Sequence, residues 1–388
     1  MAGYQHASHL ANKGFAPVLR ILKNVGQVTR QVFDRRPVYY LIHVTGRCNA
    51  KCGHCFYWQE IQSSSDGVEL RLDEFEKLSQ HMGPLLLVNL CGGEPYLRDD
   101  LPEIAHIFCS VNNCRMITIP SNGSQTDRIV AYAARMCSEN PNTVFRFAFS
   151  LDGPRAMHDA IRGVPGLFDR TCQTIREVAR LHDQFSNFAV LTSTVFSSQT
   201  QDHILDFLDW IEHELPGDQT NVTFIRGNPM DLETLQVKPK IYDQVIAKLK
   251  SRPGTREVNR QPDALVSRSM FLNTLDTVVE ANKTPDKRCF ECFAGRKHVI
   301  IDRRGDIQPC EILENGQNMG NVRDFDYDIQ ALLASPRAQE VVRWVGEKHC
   351  ACTWECAIQA SKLFDRKQWL SLATRTWAVR FADEPAYA

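Results

Sequence analysis

The sequence predicts an α/β fold: a parallel sheet that right-handed crossovers curl into a barrel or partial barrel. Three observations carry this expectation. Six short apolar runs recur between residues 37 and 227, and stretches of helical periodicity separate them. The composition is that of an ordinary globular chain, with 43% hydrophobic and 23% charged residues among 388, long enough to bury a sizeable core. Segments rich in cysteine, glycine and short polar residues follow the apolar runs, where parallel α/β folds keep their chemistry.

Residues 1–36 read as a leader. No acid precedes Asp34, whereas Lys13, Arg20, Lys23 and Arg30 are basic, and Val18, Leu22, Val25 and Val32 approximate one helical face interrupted by Gly26. Two readings stand: a helix packed on the main domain, or a basic amphipathic segment making peripheral membrane contact through residues 1–33. Strands are expected at 37–45 (PVYYLIHVT), 84–90, 115–120, 144–151, 188–196 and 221–227. Helices are expected between them at 72–82, 101–111, 126–137, 168–184 and 202–215. The barrel then spans 37–237. Residues 238–283 read as connecting helices, 284–360 as a small accessory domain organised by metal, and 361–388 as a C-terminal helix or tail. Within the accessory region, KHVIIDRRGDIQPC reads as a β-hairpin turning at Arg304-Gly305.

Composition also excludes. Lys+Arg is 45 and Asp+Glu is 46, a net charge of −1, so no nucleic-acid partner is expected. The longest apolar run, Leu85–Leu90, is broken by Asn89 and is far too short to span a bilayer. The N-terminus lacks the apolar stretch of a signal peptide, and a cytoplasmic protein is expected. Fourteen cysteines in such a chain read as metal ligands or redox groups, not as a disulfide framework.

Cys48-x3-Cys52-x2-Cys55 directly follows the first strand. Three thiolates on one tight loop suit a metal or cluster that keeps one coordination position open, whereas structural zinc wants four closed ligands. His54 offers itself as that fourth ligand, so a Cys3His zinc site is the competing reading. The later strand ends carry Cys91-Gly92-Gly93-Glu94-Pro95, then Pro120-Ser121-Asn122-Gly123, then Ser150-Leu151-Asp152-Gly153 followed by His158–Gly163, then Ser193-Thr194, and last Ile225-Arg226-Gly227-Asn228. Two glycines let backbone approach a ligand closely, and Glu94 suits an ammonium.

With these motifs the chain resembles the radical S-adenosylmethionine (SAM) superfamily. The resemblance implies a partial (β/α)6 TIM-like barrel and a [4Fe–4S] cluster on Cys48, Cys52 and Cys55, whose open iron chelates SAM. It implies that one electron, from a donor such as flavodoxin or ferredoxin, cleaves the cofactor to a 5′-deoxyadenosyl radical that takes a hydrogen atom from substrate. Further SAM contacts are implied at Gly92, Gly93 and Glu94, at Ser121 and Asn122, at Ser150 and Asp152 for ribose or substrate, at Arg162 for the cofactor carboxylate, at Thr194 and at Ile225. Tyr57 reads either as packing on adenine or as a core aromatic.

Cys292-x12-Gly305-x4-Cys310 resembles the opening motif of the SPASM and twitch extensions of this superfamily, which carry auxiliary [4Fe–4S] clusters. Cys289 precedes it, and Cys350, Cys352 and Cys356 close the region. Six cysteines cannot saturate two cubes, so at least one auxiliary cluster is expected, one complete and a second, partly ligated one as the alternative. The favoured ligands are Cys289, Cys292, Cys310 and Cys356, with Cys350 and Cys352 as alternates; a zinc ribbon is the competing reading. The expected enzyme oxidises or isomerises a small-molecule or lipid-linked substrate, with the auxiliary cluster taking part in redox and Cys91, Cys350 or Cys352 as candidate hydrogen donors. Two alternatives remain: a radical SAM peptide maturase, for which the 36 residues before the barrel are too few to form a peptide-binding domain, and a non-catalytic iron–sulfur or zinc protein.

Overall fold

The structure is a computed structural model, and it describes residues 31, 33–63, 68–251, 264–284, 288–313, 317–347, 352–371 and 374. Most of the expected leader, and Cys350, lie outside the described residues. All six expected barrel strands form, as β1 (Tyr39–Thr45), β2 (Leu87–Gly92), β3 (Met116–Ser121), β4 (Val144–Ser150), β5 (Phe188–Phe196) and β6 (Gln219–Phe224), and each pairs in parallel with its neighbour. Helices α1 (Trp58–Gln62), α2 (Leu72–Gln80), α3 (Leu101–Ser110), α4 (Thr126–Glu139), α5 (Arg155–Arg162), α6 (Leu167–Arg180) and α7 (Ile204–Glu214) supply the crossovers. The eight-residue α5 is an addition to the expected elements. It overlaps the His158–Gly163 motif, to which the sequence reading assigned no element.

Burial alternates along β2 and β3, where Val88, Leu90, Ile117 and Ile119 are sealed and Asn89, Cys91, Thr118 and Pro120 are only partly covered. The sealed face meets the helices in one core with Phe75, Phe108 and Ile104, where each buried side chain contributes about 1.5–3 kcal/mol. The other face is short and polar. It turns toward the barrel interior, so the strands keep a period of two although the sheet is parallel.

The accessory region does not stand apart from the barrel. Helices α8 (Pro239–Ser251) and α9 (Ala264–Lys283) lead to β7 (His298–Ile301), which pairs in parallel with β1, Tyr39 opposite His298 through Ile42 opposite Ile301. The expected hairpin then forms: β8 (Asp306–Gln308) runs antiparallel to β7, with Gly305 at φ +88° in the turn, and β9 (Gly320–Asn321) follows. Among the described residues the sheet has nine strands in the order β6-β5-β4-β3-β2-β1-β7-β8-β9. Helices α10 (Ile329–Ala334), α11 (Pro336–Glu347) and α12 (Glu355–Phe364) follow, α12 running across the boundary expected at residue 360.

Glu74 on α2 ties barrel to accessory region. Its carboxylate accepts from Arg323 Nε at 2.7 Å, the Tyr327 hydroxyl at 2.8 Å and the Arg71 N–H at 2.9 Å, and its side chain is 1% exposed. Burial alone pushes this carboxyl upward. The hydrogen bonds from Arg323, the Arg71 amide and Tyr327 outweigh it and hold the pKa at about 2, below the ordinary 4.5. A depressed carboxyl pKa stabilises the fold above the unfolded value and loses that contribution as pH falls through the folded one. Glu74→Gln is therefore expected to cost about 2–3 kcal/mol at neutral pH. The gap to the parent protein should close between pH 4.5 and 2. Urea midpoints measured across that range check it, and equal midpoints at pH 7 would refute it.

Candidate active site at the strand ends

The loop after β1 carries Cys48, Cys52 and Cys55, and three neighbours hold its backbone. The last carbonyls of α5 accept from it, Lys51 N–H to Arg162 O at 2.9 Å and Gly53 N–H to Ile161 O at 3.3 Å. The segment after β6 donates to it, Asp231 N–H to Gly53 O at 2.8 Å and Met230 N–H to Cys55 O at 3.2 Å. The end of β2 donates as well, Gly93 N–H to Thr45 O and Glu94 N–H to Arg47 O, both at 2.8 Å. A Cβ built on Gly93 would lie 2.1 Å from Arg47 O, so glycine is demanded there by contact with the loop's own backbone.

A cavity of about 240 Å³ opens over this loop. It is lined by all three cysteines and by the expected Tyr57, Gly92, Gly93, Glu94, Ser121, Asn122, Ser150, Arg162 and Ile225. Glu94 is sealed and accepts three hydrogen bonds, from Asn122 N–H at 2.7 Å, Ser121 Oγ at 2.9 Å and Tyr96 N–H at 3.2 Å. Burial nonetheless pushes its carboxyl up to about 7, against the pull of those donors. Such a group gains from a cation placed in the cavity beside it. Asn122 also reaches the cluster loop through Asn49 Oδ1 at 2.7 Å.

Asp152 and Arg162 form a buried pair. Arg162 donates through Nε at 2.7 Å and a second guanidinium nitrogen at 2.6 Å to Asp152 Oδ2, and its third nitrogen reaches Cys52 Sγ at 3.5 Å. Asp152 is fully buried and also accepts from Val195 N–H at 3.0 Å. Its carboxylate is thus engaged by Arg162, and Asp152 is not among the residues that line the cavity. Thr194 is likewise turned away. Its hydroxyl donates to Leu151 O at 2.6 Å, and Val195, the next residue on the strand, faces the cavity.

Burial raises all three thiols, Cys48 to about 11 and Cys55 to about 12, while the Arg162 charge opposes the rise at each. Only a strongly binding metal centre displaces those protons. Zinc bound at about 2.3 Å per thiolate would draw the sulfurs to about 3.8 Å of one another. Among the described residues the three cysteines fall in no group whose ligand atoms all lie within 4.8 Å. His54 turns its Nε2 to Asp152 Oδ2 at 3.8 Å, and burial lowers its pKa to about 4. The loop therefore suits a cluster wider than one ion, with Arg162 beside one of its thiolates.

In the accessory region, Cys292 and Cys352 are the cysteine neighbours of the buried Cys310. Cys289 lies 3.6 Å from Thr284 Oγ1. Cys356, the fourth residue of the expected quartet, has other neighbours. It meets the Tyr39 hydroxyl and lies near Arg226 and Glu311. The reason is Glu355, which accepts from Phe224 N–H at 3.1 Å and Arg226 at 2.5 Å, and so anchors the start of α12 to the end of β6 and turns Cys356 to β1. This contact also bridges the open side of the partial barrel. His43 and Glu311 were not singled out from sequence, and Arg226 only as part of the segment after β6. Strand parity marked His43, which shares a face with Tyr39 and Leu41 on β1, but nothing local marked Glu311.

Comparison with known proteins decides the family. The model described as "Radical SAM superfamily" matches residues 42–211, and "Iron-sulfur cluster-binding domain", the SPASM model, matches 292–357. Residues 42–211 form a radical SAM domain and residues 292–357 a SPASM domain. A radical SAM domain implies a [4Fe–4S] cluster with SAM, and a SPASM domain implies auxiliary iron–sulfur clusters. An AdoMet-dependent heme synthase of Nitratidesulfovibrio vulgaris is 25% identical over 77% of this chain and 80% of its own length. The subtilosin biosynthesis protein AlbA of Bacillus subtilis is 20% identical over 75% of this chain and 59% of its own. Of solved structures, anSMEcpe with bound AdoMet superposes with a TM-score of 0.56 at 18% identity, covering 88% of this chain and all of that one. SuiB of Streptococcus suis bound to S-adenosylmethionine gives 0.55 at 16% identity, covering 82% and 71%. These two likenesses concern the fold. Among the described residues, no helix of this radical SAM protein is long and apolar enough to cross a membrane.

Proposed function

We propose that this radical SAM protein cleaves SAM reductively and abstracts a hydrogen atom from a small-molecule or lipid-linked substrate, with an auxiliary cluster taking up an electron. The observation that carries the reading is Arg162, buried in the cavity wall, with Asp152 on one side and Cys52 Sγ at 3.5 Å on the other. Bound there, a cluster and SAM would supply a carbon-centred radical that no side chain can generate. The chain's own part is to position and shield. Arg162 stabilises negative charge at Cys52 and presents a rigid cation to a carboxylate. Glu94, pushed up by burial, is relieved by an ammonium. Gly92 and Gly93 keep the floor low, and Ser150, Asn122 and the Ile225 backbone line the remaining wall. The Arg226–Glu355 contact narrows the open side of the barrel, which favours a compact substrate or a single head group.

A peptide substrate is the second reading, favoured by the likeness to AlbA, a bacteriocin biosynthesis protein; the heme synthase likeness speaks for a small molecule. Cysteine loops alone would also suit a non-catalytic carrier. The test is anaerobic reconstitution with iron and sulfide, then dithionite and SAM. Formation of 5′-deoxyadenosine is expected. Its absence in protein that has taken up iron would leave the carrier reading.

A further inference from the structure

One group of potential ligands belongs to neither cysteine motif. His43 and Cys91 stand opposite each other in the register of β1 and β2, near the C-terminal ends of both strands; neither lines the cavity itself, whose wall beside them is Tyr57 and Gly92. Glu311 arrives from the accessory region, directly after Cys310. His43 Nε2 and Glu311 Oε1 are 3.1 Å apart with both side chains 7% exposed, and one ligand atom from each of the three residues lies within 4.8 Å of the others. A hydrogen bond explains His43 and Glu311. It leaves the Cys91 thiol in the same pocket unexplained.

Imidazole, thiolate and carboxylate together form the mixed, borderline-soft donor set of zinc. Ligand distances of about 2.0–2.3 Å set neighbouring donors about 3.3–3.7 Å apart in a tetrahedron, so the 3.1 Å separation needs only a small adjustment. One Cys and one Glu also balance the charge of a divalent ion. Two cavity-lining residues touch the group: Tyr57, whose ring centre is 4.4 Å from that of His43, and Gly92, next in the chain to Cys91.

We propose that His43, Cys91 and Glu311 hold one zinc-class divalent ion whose fourth position is open to an oxygen donor from the cavity. Three protein ligands and one exchangeable position is the arrangement of reactive rather than structural zinc. The ion would sit where barrel and accessory region meet, and would orient a hydroxyl or carboxylate of the substrate. It does not depend on the proposed SAM chemistry, and the test needs no turnover.

The cluster-loaded full chain is dialysed against Zn2+ under anaerobic conditions, and zinc and iron are counted per chain. One zinc per chain with iron unchanged is expected. Cys91→Ser and, separately, His43→Gln should weaken zinc binding roughly a hundredfold or more while leaving the iron count intact. Zinc-edge X-ray absorption should show one sulfur at about 2.3 Å and three nitrogen or oxygen ligands at about 2.0–2.2 Å, the last of them the exchangeable oxygen. Equal zinc in both variants, no zinc in the parent protein, or an all-sulfur shell would overturn the site. A shell with only two light ligands would overturn its open position.

Discussion

Arg162→Met lowers the stability of the protein by about 3–5 kcal/mol, and adding Asp152→Asn to it recovers much of the loss without restoring SAM cleavage. The first half follows from burial. Asp152 is completely sealed, and its charge is held by two contacts from one guanidinium. Burial pushes the Asp152 carboxyl upward, yet Arg162, His54 and His158 together bring it below its ordinary value. Removing the cation strands a carboxylate where solvation is unavailable, and that costs more than the pair contributes when intact. The second half separates structure from chemistry. Asparagine keeps an acceptor for Val195 N–H, which Asp152 now serves at 3.0 Å, and has no charge to strand. The double variant should therefore fold, and denaturant midpoints would show coupling between the two sites. It would still lack the cation at Cys52 Sγ. Formation of 5′-deoxyadenosine at near-parental rate by the double variant would reduce Arg162 to a packing role.

Cys52→Ala is expected to abolish 5′-deoxyadenosine formation, by at least about a thousandfold, with the iron content falling by one cluster's share and the accessory region keeping its own. Cys52 is the cysteine in direct contact with Arg162, and two thiolates cannot hold a cube that needs three on this loop. The loop backbone should survive the change. Its hydrogen bonds run through Lys51, Gly53 and Cys55 to α5 and the segment after β6, and none uses the Cys52 side chain. Unchanged circular dichroism with lost cleavage is thus the signature. A variant that still cleaves SAM at the parental rate would remove the cluster from Cys52 and with it the proposed chemistry.

Much of the site was legible because it is local. Cys48, Cys52 and Cys55 belong together through spacing alone, and Gly92, Gly93, Glu94, Ser121, Asn122 and Ser150 follow strands whose ends a parallel sheet gathers on one side. Less legible is which of two neighbours on a strand takes a given face. Thr194 and Val195 differ only in parity, and the hydroxyl of Thr194 is spent on Leu151 O. Asp152 looked like a ligand because it is polar at a strand end, but its partner, Arg162, lies on a helix the sequence reading did not include. The ligand set in the accessory region was harder still. Cys352 precedes α12 and Cys356 lies in its first turn, and the anchoring of Glu355 to Phe224 and Arg226, beside Cys356, joins residues about 130 positions distant.

Periodicity and short-range spacing thus pointed to the parallel sheet, its six barrel strands and the cysteine loop, since each depends on residues close together in the chain, and the motifs at the strand ends carried the resemblance to the family. Folding in three dimensions added what depends on distant residues meeting. The accessory hairpin joins the barrel sheet beside β1, Glu355 bridges the open side, and His43, Cys91 and Glu311 converge from three separate segments. Local pattern records the preference of a segment for helix or strand. It carries no record of which partner fills the space opposite, because that is set by packing and by the pairing of buried polar groups across the whole molecule.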